Sequence, residues 1–202
     1  MSMKIGLMGG TFNPIHYGHL LIAENACEQF HLDKVFFLPT GNHAPHKDSS
    51  KITEASIRSE MVKLAICDNR HFQYSDFEIR QKEVGYTYRT LQAFDARYPD
   101  AELYFIMGAD SLAYFDKWRY PEKISEQCTI LAAVRDELDY AHLEPIKHHL
   151  AGLYGTRIEF INSPNFEVSS HLIREKVQMQ QSIKYLLPET VEQYILQHRL
   201  YL

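Results

Sequence analysis

The densest chemistry in the sequence lies in eleven residues, Gly9 to His19, reading GGTFNPIHYGH directly after the apolar run Lys4–Met8. The chain has nine glycines in 202 residues, and four of them, Gly6, Gly9, Gly10 and Gly18, fall within the first 18 positions. Glycine lets a backbone approach a ligand closely. A helix that starts just after such a turn aims open N–H groups and its positive dipole end at an anion. His16 and His19 place two imidazoles at the same mouth, able to donate hydrogen bonds to phosphate oxygens as charge builds in a transition state. The helix expected near Gly18 has only that glycine as a modest N-cap, so its first N–H groups need another partner.

Three further clusters carry polar chemistry. Gly41, Asn42, His43, Ala44, Pro45, His46 and Lys47 follow a second apolar run. Their donors and one cation suit a phosphate or carboxylate, and equally suit a plain polar surface loop. Gly108-Ala109-Asp110-Ser111 closes the run Leu103–Met107; Asp110 and Ser111 either hold a sugar or base or cap the next helix. In Val168-Ser169-Ser170-His171-Leu172-Ile173-Arg174, two hydroxyls open a helix with an arginine one turn inside. A capping box would put Glu or Gln where Leu172 and Ile173 stand, and a cation at that point opposes the helix dipole. Both oddities fit an anion shared by the hydroxyls, the helix start and Arg174; a plain serine cap beside a solvated arginine is the alternative. Neither G-x-x-x-x-G-K-[ST] nor G-x-G-x-x-G occurs, which argues against a P-loop and the usual dinucleotide fingerprint.

These clusters sit between alternating elements. β-rich runs are predicted at Lys4–Met8, Val35–Leu38, Phe72–Phe77, Leu103–Met107, Thr129–Val134 and Arg157–Ile161. Apolar residues recur at helical spacing in Leu20, Ala23, Cys27 and Phe30, in Ile57, Met61, Leu64 and Ala65, and in Leu91, Phe94 and Tyr98. Alternating strands and helices imply an α/β, Rossmann-like, doubly wound and mostly parallel sheet with helices on both faces. The last 35 residues read as purely helical. They are expected to form a small C-terminal subdomain, residues 166–202, that completes one continuous unit with the α/β domain 1–165. No internal repeat or long linker interrupts the pattern.

Composition sets outer limits. The hydrophobic fraction of 45% and charged fraction of 23% are those of a globular chain. A formal charge of −5 argues against a general nucleic-acid binder. No apolar stretch reaches the roughly 20 residues that cross a bilayer, and the start lacks the pattern of a secretory signal. Cys27, Cys67 and Cys128 are odd in number and widely spaced, as expected of reduced thiols in a cytoplasmic protein.

With GGTFNPIHYGH, APHK, GADS and SSHLIR in this order, the chain resembles the HxGH nucleotidyltransferase superfamily. Within it the sequence is most similar to the bacterial nicotinate-nucleotide adenylyltransferases, over essentially its whole length. Gly85-Tyr86-Thr87, Trp118 and the closing LLPETVEQYI segment point to that branch. The resemblance implies adenylyl transfer from ATP to nicotinate mononucleotide with Mg²⁺, giving deamido-NAD and pyrophosphate. It implies catalytic roles at the phosphates for His16, His19, Lys47 and Arg174. ATP contacts would come from Gly9, Gly10, Thr11, Phe12, Gly18, Gly108, Asp110, Ser169 and Ser170. The mononucleotide would meet Asn42, His46, Thr87 and Trp118, with Mg²⁺ held mainly by the phosphates rather than by a protein cage. Three positions depart from the family's habit, which often has Asp at Asn13, Pro at Ala44 and Thr at His171.

The chemistry suits this inventory. The attacking 5′-phosphate oxygen is largely ionised near pH 7, so no strong general base is needed. What the reaction needs is two anions held in line and the departing charge neutralised. The alternatives are an adenylyltransferase for nicotinamide mononucleotide or pantetheine phosphate, a non-catalytic ATP-sensing module, and a class I aminoacyl-tRNA synthetase fragment, the last opposed by size and charge.

Overall fold

The structure is a computed structural model that describes residues 2–41, 52–81, 84–134, 137–164 and 166–202. Six strands, β1 (Lys4–Gly10), β2 (Lys34–Pro39), β3 (Phe72–Tyr74), β4 (Glu102–Gly108), β5 (Thr129–Val134) and β6 (Arg157–Asn162), form one sheet in the order β3-β2-β1-β4-β5-β6. Every pairing is parallel. The inner strands β1, β2, β4 and β5 read as mostly apolar runs because helices cover both faces, while the edge strand β6 alternates exposed Arg157 and Glu159 with buried Ile158 and Phe160.

Alternation along each strand sorts side chains between two cores. On one face Met8, Val35, Phe37, Ile106, Leu131 and Ile161 pack with α1 (Tyr17–Phe30), α2 (Ala55–Ile66), α8 (Ser170–Gln178) and α9 (Glu189–Gln197). On the other, Leu7, Phe36, Leu38, Phe105, Ile130 and Phe160 pack with α4 (Thr87–Arg97), α5 (Ala109–Ala113), α6 (Pro121–Gln127) and α7 (Glu137–Tyr154). α3 (Phe77–Arg80) is a single turn between β3 and α4.

Two expectations need correction. The third strand stops at Tyr74 instead of reaching Phe77. Ser75 donates its N–H to the Phe37 carbonyl at 3.0 Å, and its hydroxyl then accepts from the Phe77 N–H at 3.3 Å, turning the chain into α3. The last 35 residues are not purely helical: α8 and α9 are separated by irregular chain containing Gln180 and Tyr185 in left-handed conformations. Nor do they close on themselves. Ile173, Val177, Ile183, Leu187, Val191 and Ile195 are buried in the same cluster as Met8 and Ile106, so the tail completes the face that α1 begins.

Candidate active site

β1 hands the chain to α1 on one face of the sheet, while its neighbour β4 hands it to α5 on the other. The carboxyl ends of these strands are therefore the topological switch point, where open α/β sheets form their ligand crevice. A cavity of about 400 Å³ opens there. Gly9, Gly10, His16, Gly18 and His19 line one side, and Gly108, Ser111 and Trp118 the other. Phe166, Val168, Ser169 and Ser170, on the chain that leads into α8, close it.

The two histidines are built into the start of α1. The His16 backbone N–H donates to His19 Nδ1 at 3.3 Å. With Nδ1 accepting, a neutral His19 ring carries its hydrogen on Nε2 and keeps that donor for a ligand. The two rings lie 3.8 Å apart between centroids, and the Phe12 ring meets His19 edge-on at 5.0 Å. Burial pushes the His16 imidazole down to about 4; burial, then the neighbouring His16, pushes His19 below its ordinary value. His16 Nδ1 is buried without a hydrogen-bond partner, an unspent polar atom in the cavity wall.

Glycine at position 18 is a packing requirement. A Cβ there would stand 3.0 Å from His16 Nδ1 and 3.1 Å from Val168 Cγ1, so even a methyl group would press on the ring or on Val168. The same residue supplies an open donor: among the described residues the Gly18 N–H has no acceptor, whereas the Tyr17 N–H donates to the Leu186 carbonyl at 3.1 Å. The N-cap is His16 rather than the Gly18 that the sequence suggested; it makes no side-chain cap bond, and His19 Nδ1 takes up only the His16 N–H.

The turn between β1 and α1 is held from distant parts of the chain. The Asn13 carbonyl accepts from Arg174 Nη1 at 2.8 Å, and the Pro14 carbonyl from Ser170 Oγ at 2.8 Å. Asn13 Oδ1 accepts from the Tyr201 hydroxyl at 3.0 Å and from the Thr53 N–H at 3.3 Å. Both side-chain bonds use an oxygen acceptor, which an aspartate would also offer. Arg174 sits one turn inside α8, against the dipole, because its guanidinium reaches back to this turn. Ser169 is the plain cap, its hydroxyl accepting from the Leu172 N–H at 3.1 Å. His171 points away from the cavity to Glu175, at 3.2 Å on the surface.

Sequence reasoning missed two buried charged residues. Arg58 is 1% exposed and donates to three carbonyls: Nε to Thr53 at 2.8 Å, Nη1 to Thr11 and Nη2 to Thr40, each at 2.6 Å. It thereby ties the segments that follow β1 and β2 together behind the cavity. The signal was present, for Arg58 lies three, four and seven residues before Met61, Val62 and Ala65 on the apolar face of α2. Glu78, in α3, is 4% exposed. Its Oε1 accepts from Thr90 Oγ1 at 3.0 Å, Oε2 is buried with no partner, and burial pushes the carboxyl up to about 7. Nothing in the pattern around Glu78 marks it in the sequence.

The remaining expected residues fall in different places. Trp118 lines the cavity and also packs edge-on against Phe105 at 5.9 Å. Thr87 is the first residue of α4 and does not line the cavity. Asp110 is exposed in the first turn of α5. Thr11 and Phe12 do not line the cavity; Phe12 is buried in the core and the Thr11 carbonyl accepts from Arg58. Asn42, His46 and Lys47 lie outside the described residues.

Comparison with known proteins agrees with this architecture. Residues 7–176 match the cytidylyltransferase-like family. A probable nicotinate-nucleotide adenylyltransferase of Lachnoclostridium phytofermentans is 45% identical over 98% of this chain and 99% of its own. One from Synechococcus is 39% identical over 98% and 95%. Among solved structures, the nicotinic acid mononucleotide adenylyltransferase of Plasmodium falciparum complexed with NaAD superposes with a TM-score of 0.79 at 20% identity, covering 98% of this chain and 97% of that one. That likeness shows the fold. The sequence identity, held along nearly the full length of both chains, shows that this chain belongs to the nicotinate-nucleotide adenylyltransferase family, within the cytidylyltransferase-like group.

Proposed function

We propose that the protein transfers the adenylyl group of ATP to nicotinate mononucleotide, forming deamido-NAD and pyrophosphate. The observation that carries this reading is the junction of His16, His19, the Gly18 N–H and the Ser169–Ser170 helix start around one cavity at the switch point. A 5′-phosphate oxygen of the mononucleotide attacks the α-phosphorus of ATP. The bond from that phosphorus to the bridging oxygen breaks, and its electron pair leaves with pyrophosphate. His16, His19 and the helix-start amides donate to the charge that gathers on the leaving phosphates. Arg174 and Ser170 hold the turn that aims them, and from the sequence we assign Lys47 to the same anions and Asn42 and His46 to the mononucleotide. Trp118 offers an aromatic face to a pyridine ring.

A nucleotidyl transfer of this kind uses a divalent metal, and we take it to be Mg²⁺ entering as the MgATP complex. The cavity presents imidazole, hydroxyl and amide donors, and among the described residues no group of three His, Cys, Asp or Glu could hold a metal ion. That donor set fits an ion carried by phosphates. Among the described residues no helix is long and apolar enough to cross a membrane. We assign the protein to the cytoplasm from its three free, widely spaced cysteines.

The test is pyrophosphate release from ATP and Mg²⁺ with each acceptor in turn. Release with nicotinate mononucleotide well above that with nicotinamide mononucleotide or pantetheine phosphate supports the reading. Release with none of them would turn the cavity into an ATP-sensing site.

A further inference from the structure

Glu78 is a buried carboxyl that the transfer chemistry leaves unused. Its side chain stands under the turn that begins α4: a Cβ on Gly85 would come within 3.3 Å of Oε2. Toward the cavity it meets β1, since a Cβ on Gly9 would lie 3.9 Å from Oε1, beside the Phe105 ring that packs on Trp118. It thus occupies the space between the cavity wall and the helix start at Thr87. α4 runs for 11 residues, and no side chain caps its first turn at Tyr86. Among the described residues neither the Thr87 nor the Tyr88 N–H has an acceptor. An open helix start favours an anion, and a negative charge on Glu78, held beside the Gly85 turn, opposes one.

We propose that Glu78 is a proton-dependent specificity residue for the acceptor: with its proton it leaves the start of α4 receptive to an anionic ring substituent, and without it the carboxylate repels that substituent. The inference rests on the acceptor reading above. The geometry assigns the proton to Oε2, because Oε1 already accepts from Thr90 Oγ1. Among the described residues the Oε2 hydroxyl then has no acceptor and is buried from solvent, so Glu78 acts on an arriving carboxylate through its charge across the Gly85 turn rather than by direct contact. The groups facing Glu78 are Gly9 of β1, Gly85 of the turn and Thr90 of α4. Its own element carries Asp76 and Arg80, which pair with each other at 2.7 Å on the exposed side. Among the described residues no charged side chain offsets the carboxyl, and burial sets its titration at about 7. The switch therefore works in the range where cells vary.

The experiment compares kcat/KM for nicotinate mononucleotide with that for nicotinamide mononucleotide between pH 6 and pH 8.5. Both acceptors carry the same 5′-phosphate, so its titration cancels in the ratio. In the wild type the preference for the nicotinate form should fall roughly tenfold or more across this range, mostly through KM. In Glu78→Gln, which holds the neutral form at every pH, the ratio should stay flat. A flat ratio in the wild type overturns the proposal, as does an unchanged slope in the variant. Absence of turnover with either acceptor would instead defeat the functional reading itself. The wild-type profile stands alone should the variant fold poorly.

Discussion

The rings of His16 and His19 lie 3.8 Å apart with their planes inclined by 30°, too close for both to be charged without a counter-ion. Burial holds His16 at about 4, and both burial and its neighbour depress His19. In the free protein at pH 7 both are neutral donors. Ring-proton NMR should show neither titrating between pH 6 and 8. Adding MgATP should raise both, since polyphosphate supplies the missing negative charge. His19→Ala should lower turnover roughly 10²–10³-fold, as for other lost transition-state donors. Near-normal turnover in a folded variant, or an ordinary imidazole titration in the free protein, would remove the pair from the mechanism.

Arg174 reaches the Asn13 carbonyl from one turn inside α8. If it braces the turn and also faces the leaving phosphates, Arg174→Ala should lose both stability and nucleotide affinity. The expected outcome is a fall in melting temperature of a few degrees, together with MgATP affinity weaker by roughly tenfold. A variant that loses stability alone would leave Arg174 as a brace only.

The fold was legible because the inner strands are apolar runs bounded by breaks, and α1, α2 and α4 each carry an apolar stripe. The switch-point cavity was legible because glycine and histidine concentrate where β1 ends. What escaped reading depends on contacts across long stretches of chain. That Arg174 and Ser170 bind the backbone of Asn13 and Pro14, about 160 residues away, has no periodicity to betray it. The Thr87 region looked like part of the cavity, yet Thr87 sits at the head of α4 with Glu78 between it and Gly9. Burial is a property of the assembled sheet, so the neutral carboxyl in α3 has no local signature.

Arg58 gives its three hydrogen bonds to carbonyls of Thr11, Thr40 and Thr53 and has no carboxylate among those partners. Truncation strands buried acceptors, and each costs about 1–3 kcal/mol, offset in part by release of a buried charge. Arg58→Met should therefore lose roughly 2–4 kcal/mol in urea unfolding. Arg58→Lys, which keeps the charge but not the fork, should recover only part of the loss. A change in Arg58→Met within about 0.5 kcal/mol would mean the clamp is energetically idle.

Glu78 and the two histidines make opposite demands on stability as pH changes. The Glu78 carboxyl titrates at about 7 in the folded protein against an ordinary value of 4.5. Between those pH values the folded chain holds a proton that the unfolded chain has lost, so stability falls as pH rises. His16 titrates at about 4 against an ordinary 6.5; there the unfolded chain holds the extra proton, and stability falls as pH drops. The Glu78 and His16 trends offset each other between pH 4.5 and 6.5, with His19, also depressed by burial, adding to the loss on acidification. Glu78→Gln removes one of them. Its stability relative to wild type should rise by roughly 2–3 kcal/mol from pH 5 to pH 8, whatever fixed cost the buried amide brings. Below pH 6.5 the variant should lose stability more steeply than the wild type. Denaturant melts of both proteins at four or five pH values measure the difference directly. A difference that does not change with pH would show that Glu78 is ionised in the folded protein throughout, and its place under Gly85 would then carry a charge rather than a proton.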